Sequence, residues 1–137
     1  MGIQPDDTLA SRSTQTTRVL LRSFGYAAAG VGYVLRTQRN ARIEAVAAAG
    51  AVAVGIWLGL GAIEWAVLAL TITIVLGLEV LNTSLEIAVS LASPEPDPLA
   101  KAAKDVAAAA VLVGALGSLA VGLFLFGPRL VARFFAP

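Results

Sequence analysis

Three runs with almost no charge decide the solvent in which this chain can fold. Residues 45–63 are 19 positions without a charge and residues 106–127 are 22, while residues 65–92 are 28 positions interrupted only by Glu79 and Glu86. At about 1.5 Å per helical residue, each run is long enough to cross a hydrocarbon core of roughly 30 Å. A water-soluble domain rarely looks like this: 58% of the 137 residues are hydrophobic, 14% are charged, and the mean hydropathy is +0.82. The expected fold class is an all-α integral membrane protein with three transmembrane helices, spanning about residues 43–63, 65–92 and 99–127.

Ahead of the first span, Leu20, Phe24, Ala27, Val31 and Val34 recur at intervals of three and four, and Arg18, Arg22 and Arg36 fall off that stripe. The pattern predicts an N-terminal amphipathic helix over residues 17–36, lying in the membrane interface or packed on its own bundle. Residues 1–16 are acidic and then polar, lack an apolar stretch of signal-peptide type, and read as a loose cytosolic tail. Residues 17–137 form one membrane-embedded domain on this reading. Gly59 and Gly61 mark a tight external turn, and Trp57 and Trp65 stand where aromatic belts form. The segment SPEPDPL at 93–99 places three prolines among acidic residues, which makes a rigid turn, with Asp97-Pro98 as the start of the next helix.

Eight of the ten basic residues, from Arg12 to Arg42 together with Lys101 and Lys104, share one side of a three-span topology; only Arg129 and Arg133 lie on the other. The bias of Lys and Arg makes the crowded side the cytosol and puts the N-terminus there. No nucleic-acid partner is expected; the net charge of +1 says little by itself. There is no cysteine and no histidine, so thiolate catalysis, thiolate zinc sites and imidazole bases are excluded. Any acid–base chemistry must run on carboxylates or lysine.

The second span carries those carboxylates. Glu79, Asn82, Glu86 and Ser90 are offset by three, seven and eleven residues, within about 60° of one another on a helix. An acid at membrane depth costs on the order of 2.5–3.5 kcal/mol on insertion scales, so these residues need a purpose or a partner. One purely structural reading pairs Glu79 and Glu86 with Lys101 and Lys104 to lock the bundle; Asp105, Arg39, Asn40 and Arg42 lie on the same side. Two carboxylates, an amide and lysines at the headgroup boundary also suit phosphoryl transfer from a metal-bound nucleotide to a lipid hydroxyl. An ion-coupled transporter is a third possibility, since intramembrane acids cluster there too.

The stretch EVLNTSLEIAV at 79–89 and the stretch PLAKAAKDVAAAAVL at 98–112 closely resemble the prokaryotic diacylglycerol kinase and undecaprenol kinase family. The pattern Glu-x-x-Asn-(Ser/Thr)-x-x-Glu followed by Ala-Lys-Asp carries the likeness, which runs from about Phe24 to about Leu123. The resemblance implies a homotrimer in the bacterial cytoplasmic membrane, with active sites on the cytosolic side shared between neighbouring subunits. It implies ATP as cosubstrate, Mg²⁺ as cofactor, and undecaprenol or diacylglycerol as the lipid phosphorylated. In its terms Glu79 is the general base toward the lipid hydroxyl, Asn82 orients the site, and Glu86 holds Mg²⁺. Lys104 and Asp105 bind the nucleotide, joined by Arg42, Gln38 and Ser90.

Two departures matter. Gln38 stands where the family usually has a metal-binding glutamate, and Ser90 replaces a usual aspartate. A catalytically dead relative is the corresponding alternative. The segments at 37–43 and 98–101 look more like the undecaprenol kinase branch, whereas Glu44 stands where that branch often has histidine.

Overall fold

A computed structural model describes residues 6–135, with side chains from residue 19 onward. Four helices account for it: α1 Asp6–Thr37, α2 Arg39–Leu58, α3 Ala62–Ala92 and α4 Pro98–Phe135, with no strand among the described residues. The three helices α2, α3 and α4 are each long and apolar enough to cross a membrane. The chain divides into two units, α1 by itself and residues 38–137.

The backbone of α1 is helical from Asp6, so it takes in residues 6–16, which the apolar stripe alone left outside a helix. Stripe residues Leu20, Phe24 and Val31 are exposed on it. Ser23 and Thr37 donate their hydroxyls back to the carbonyls of Val19 and Tyr33, four residues earlier, which satisfies these groups without an outside partner.

In the second unit, α2 ends at Gly59, whose φ of +67° is the left-handed conformation that glycine adopts without a Cβ penalty. Gly59 N–H donates to the carbonyl of Ile56, and Leu60 N–H to that of Gly55. Leu60 is buried, and its side chain and the Trp65 ring close over Gly55, where a Cβ would stand 3.0 Å from one and 3.1 Å from the other. Trp65 is therefore a packing residue of the turn. α3 then starts at Gly61, whose N–H donates to the Glu64 carboxylate at 2.6 Å. At the other end of α3, Asp97 Oδ1 accepts from Leu99 N–H and Ala100 N–H, both at 2.8 Å, and Pro98 opens α4. The signals that proline and aspartate set in the sequence work as expected there.

α4 differs from expectation at its end. Its apolar run stops at Gly127, yet the helix continues through Pro128 to Phe135. Proline removes one backbone donor and crowds the turn before it. The following turn is held from outside the helix: Arg129 donates Nε and Nη2 to both oxygens of Glu64, at 3.1 and 2.6 Å, and Nη1 to the carbonyls of Leu58 and Gly59, both at 3.1 Å. One guanidinium thus ties α4 to the end of α2 and the start of α3. The most extensive helix contact is between α3 and α4. There Leu78 lies against Gly114, so close that a Cβ on Gly114 would stand 2.6 Å from Leu78 Cδ1.

Candidate active site

Among the described residues, the largest fully buried side chains of this apolar chain are polar, Glu79 and Thr83. Glu79 and Thr83 are each 2% exposed and Asn82 is 8% exposed, whereas Leu70, Leu116 and Phe124 are 62%, 57% and 82% exposed. The offsets of three and four residues along α3 put Glu79, Asn82, Thr83 and Glu86 on the face turned toward the other helices. Thr83 needs nothing further, because its hydroxyl donates to the carbonyl of Glu79 at 2.9 Å. Asn82 Nδ2 donates to Glu86 Oε1 at 3.2 Å, one turn along. That bond orients the amide and leaves Asn82 Oδ1 buried without a partner, as is Glu79 Oε2.

Across the interface, the backbone N–H of Ala41 lies against the Glu79 carboxylate. Ala41 is in the first turn of α2, where backbone N–H groups have no carbonyl of their own helix to bond. The N-cap, Gln38, makes no side-chain capping bond. Glu79 therefore brings a carboxylate to the end of α2 where the helix dipole favours negative charge. Glu44, one turn further along α2, adds a second acid close enough to interact with Glu79, and its Oε2 is likewise buried without a partner. Glu79, Asn82, Glu86 and Glu44 make one oxygen-rich cluster between α2 and α3. Gln38, half-exposed, caps the same end of α2.

On α4, Lys101 Nζ pairs with Asp105 Oδ2 at 2.6 Å along its own helix, both side chains being largely exposed. Lys104 is half-buried beside that pair. Within one copy, no ion pair joins Glu79 or Glu86 to Lys101 or Lys104 among the described residues. The spacing of four turns Lys101 along the surface of α4 toward Asp105 rather than inward. Ser90 is exposed, its hydroxyl donating to the carbonyl of Glu86 at 2.7 Å. Arg42 is exposed in the first turn of α2.

Buried carboxylate and amide oxygens without donors are an expensive arrangement unless something charged is to be bound. The donor set is all oxygen, which suits a hard cation. Among the described residues no group of three acids gathers to form a complete metal cage. A Mg²⁺ ion fits such an incomplete set, because it is usually held by one or two carboxylates while phosphate oxygens and water supply the rest.

Residues 25–126 match the prokaryotic diacylglycerol kinase family. The chain belongs to that family. It is a lipid kinase of the membrane, with a lipid and ATP as its substrates. Among similar proteins, the undecaprenol kinase of Bacillus subtilis (strain 168) is 42% identical over 109 residues, 80% of this chain and 89% of that protein. The diacylglycerol kinase of Synechocystis sp. (strain ATCC 27184 / PCC 6803 / Kazusa) is 44% identical over 125 residues, 90% of this chain and 71% of that protein.

Two residues of this lipid kinase had no assigned role in the sequence reading. Glu44 falls on the buried face of α2 that Ala41 and Ala48 also line, a register that its spacing of three and four from them carries. Arg129 lies beyond the family match, and its partners Glu64, Leu58 and Gly59 are 65, 71 and 70 residues away. Only the fold brings them to it.

Proposed function

We propose that this protein transfers the γ-phosphoryl group of ATP to the terminal hydroxyl of undecaprenol, at the cytosolic face of the bacterial membrane, as a homotrimer whose sites lie between subunits. The observation that carries the reading is the buried Glu79 carboxylate, flanked by an oriented Asn82 and by a partnerless oxygen on each. In this reading Glu79 Oε2 takes the proton of the lipid hydroxyl as that oxygen attacks the γ-phosphorus. The bond from the γ-phosphorus to the bridging oxygen breaks, and ADP leaves with its electron pair. Asn82, fixed by Glu86, holds the hydroxyl and the acid in register.

Glu86 and Gln38 would hold Mg²⁺, which when bound neutralises charge on the triphosphate oxygens. Lys104 meets the phosphates, and Asp105, Arg42 and Ser90 line the nucleotide. The two sets come together from neighbouring subunits, which accounts for a chain whose α3 acids and α4 lysines make no ion pair within one copy. Gln38 supplies a neutral carbonyl oxygen in place of a carboxylate, and so makes a weaker metal ligand.

Undecaprenol is favoured over diacylglycerol by the segments at 37–43 and 98–101 and by the fuller coverage of the relative named for it. The test is phosphorylation by the purified protein of undecaprenol and of diacylglycerol, assayed separately in mixed micelles. Faster turnover of diacylglycerol would reassign the acceptor. No phosphorylated lipid from either would defeat the proposal.

A further inference from the structure

The end of the α2–α4 bundle away from Glu79 holds a second cluster of charge, whose arginines, Arg129 and Arg133, lie beyond the residues the family match covers. Leu58, Arg129, Ala132 and Arg133 line an open cavity there of about 270 Å³. Arg129 uses four N–H groups on Glu64 and two carbonyls, and Glu64 balances its charge. Arg133 is different. It lies over the Trp57 ring, 5.8 Å from guanidinium carbon to centroid, while Phe134 packs on the same indole with centroids 6.1 Å apart. No acid pairs with Arg133 among the described residues. Among the described residues the cavity therefore carries one positive charge that no acid balances.

Depth decides what meets that charge. The uncharged run of α4 ends at Gly127, so Arg133 stands six residues further on, about 9 Å along the helix. That is the headgroup layer, where phosphates are the abundant anions and where an indole also prefers to sit. Contact with the Trp57 ring holds the guanidinium of this cavity-lining residue in place, and a planar fork is suited to a phosphate. A zwitterionic headgroup brings its own cation and leaves the excess charge unbalanced. We propose that the cavity at Arg133 binds the phosphodiester of an anionic membrane lipid, in the leaflet opposite the active site, as a structural ligand that the kinase does not phosphorylate.

Full-length protein in a neutral nonionic detergent, given phosphatidylglycerol, phosphatidylcholine or inorganic phosphate, tests this by native mass spectrometry of the retained ligand. Wild type should retain phosphatidylglycerol in preference to phosphatidylcholine. Arg133→Gln should weaken that retention about fivefold, the factor for about 1 kcal/mol per basic residue at a membrane surface. Arg133→Lys, a point charge without the fork, should fall between. Kinase activity and thermal midpoint in phosphatidylcholine should match wild type in both variants, showing that the fold survives. Equal retention of phosphatidylglycerol by Arg133→Gln and wild type would overturn the proposal. So would displacement of phosphatidylglycerol by inorganic phosphate at equal concentration, which would mark an exchangeable ion rather than a lipid site.

Discussion

Glu79 is the residue on which the chemistry turns, and its surroundings separate a catalytic from a structural role. It contacts the first turn of α2 through Ala41 and makes no ion pair with a lysine among the described residues. Within one copy, removing its charge therefore leaves no buried cation stranded, the event that makes loss of one member of a buried pair so destabilising. Glu79→Gln should lower lipid phosphorylation by about 10²–10⁴-fold and leave the thermal midpoint close to wild type. A variant that lost activity only because it unfolded would restore the structural reading. Gln38→Glu should make turnover respond to lower Mg²⁺, since a carboxylate replaces a neutral carbonyl. An unchanged Mg²⁺ titration would remove Gln38 from the metal. At this scale the polar stripe was legible because helical periodicity alone puts Glu79, Asn82 and Glu86 on one face. The place of Glu44 was not, because it depends on which face of α2 meets α3.

The elements are joined by a few contacts, and each has its own test. Gly114 brings α4 against Leu78 of α3. An alanine there meets only the mobile end of a leucine, which can turn aside, but a leucine cannot be accommodated without parting the helices. Gly114→Leu should cost about 1–3 kcal/mol, read as a fall in the urea or thermal midpoint in detergent. Arg129 acts at the opposite end of the bundle from Glu79. Arg129→Gln leaves the Glu64 carboxylate and two carbonyls short of donors, worth about 1–3 kcal/mol when such groups are buried and less here, where both side chains are partly exposed. The midpoint should fall while KM for ATP stays unchanged; a raised KM would mean that this lock reaches the nucleotide site. The N-terminal signals of α4 were legible in Asp97-Pro98, since a cap needs only neighbours in sequence. The continuation of α4 past Pro128 was not, because its support comes from Glu64 and the turn after Leu58.

As a whole the molecule is arranged for a solvent other than water. Most of its large apolar side chains are exposed while Glu79 is buried and Glu44 and Glu86 are half-buried among the described residues, so burial of hydrocarbon from water does not drive the helices of one copy together. Lipid and further copies of the chain are what those exposed faces suit. If the copies complete one another's sites, mixing Glu79→Gln with Lys104→Gln subunits should recover a substantial fraction of wild-type activity, measured as phosphorylated lipid. No recovery would confine each site to a single chain. The sequence by itself determined the solvent, the number of spans and the acidic stripe, because these follow from hydropathy, length and the 3.6-residue period. Tertiary structure alone decided which donors Glu79 meets, that Lys101 turns to Asp105, and that Arg129 holds three helix ends. The first and last depend on the distance between side chains remote in sequence, which no local period encodes; the i,i+4 spacing permitted the Lys101–Asp105 pair, and the fold decided that Lys101 takes it rather than an acid of α3.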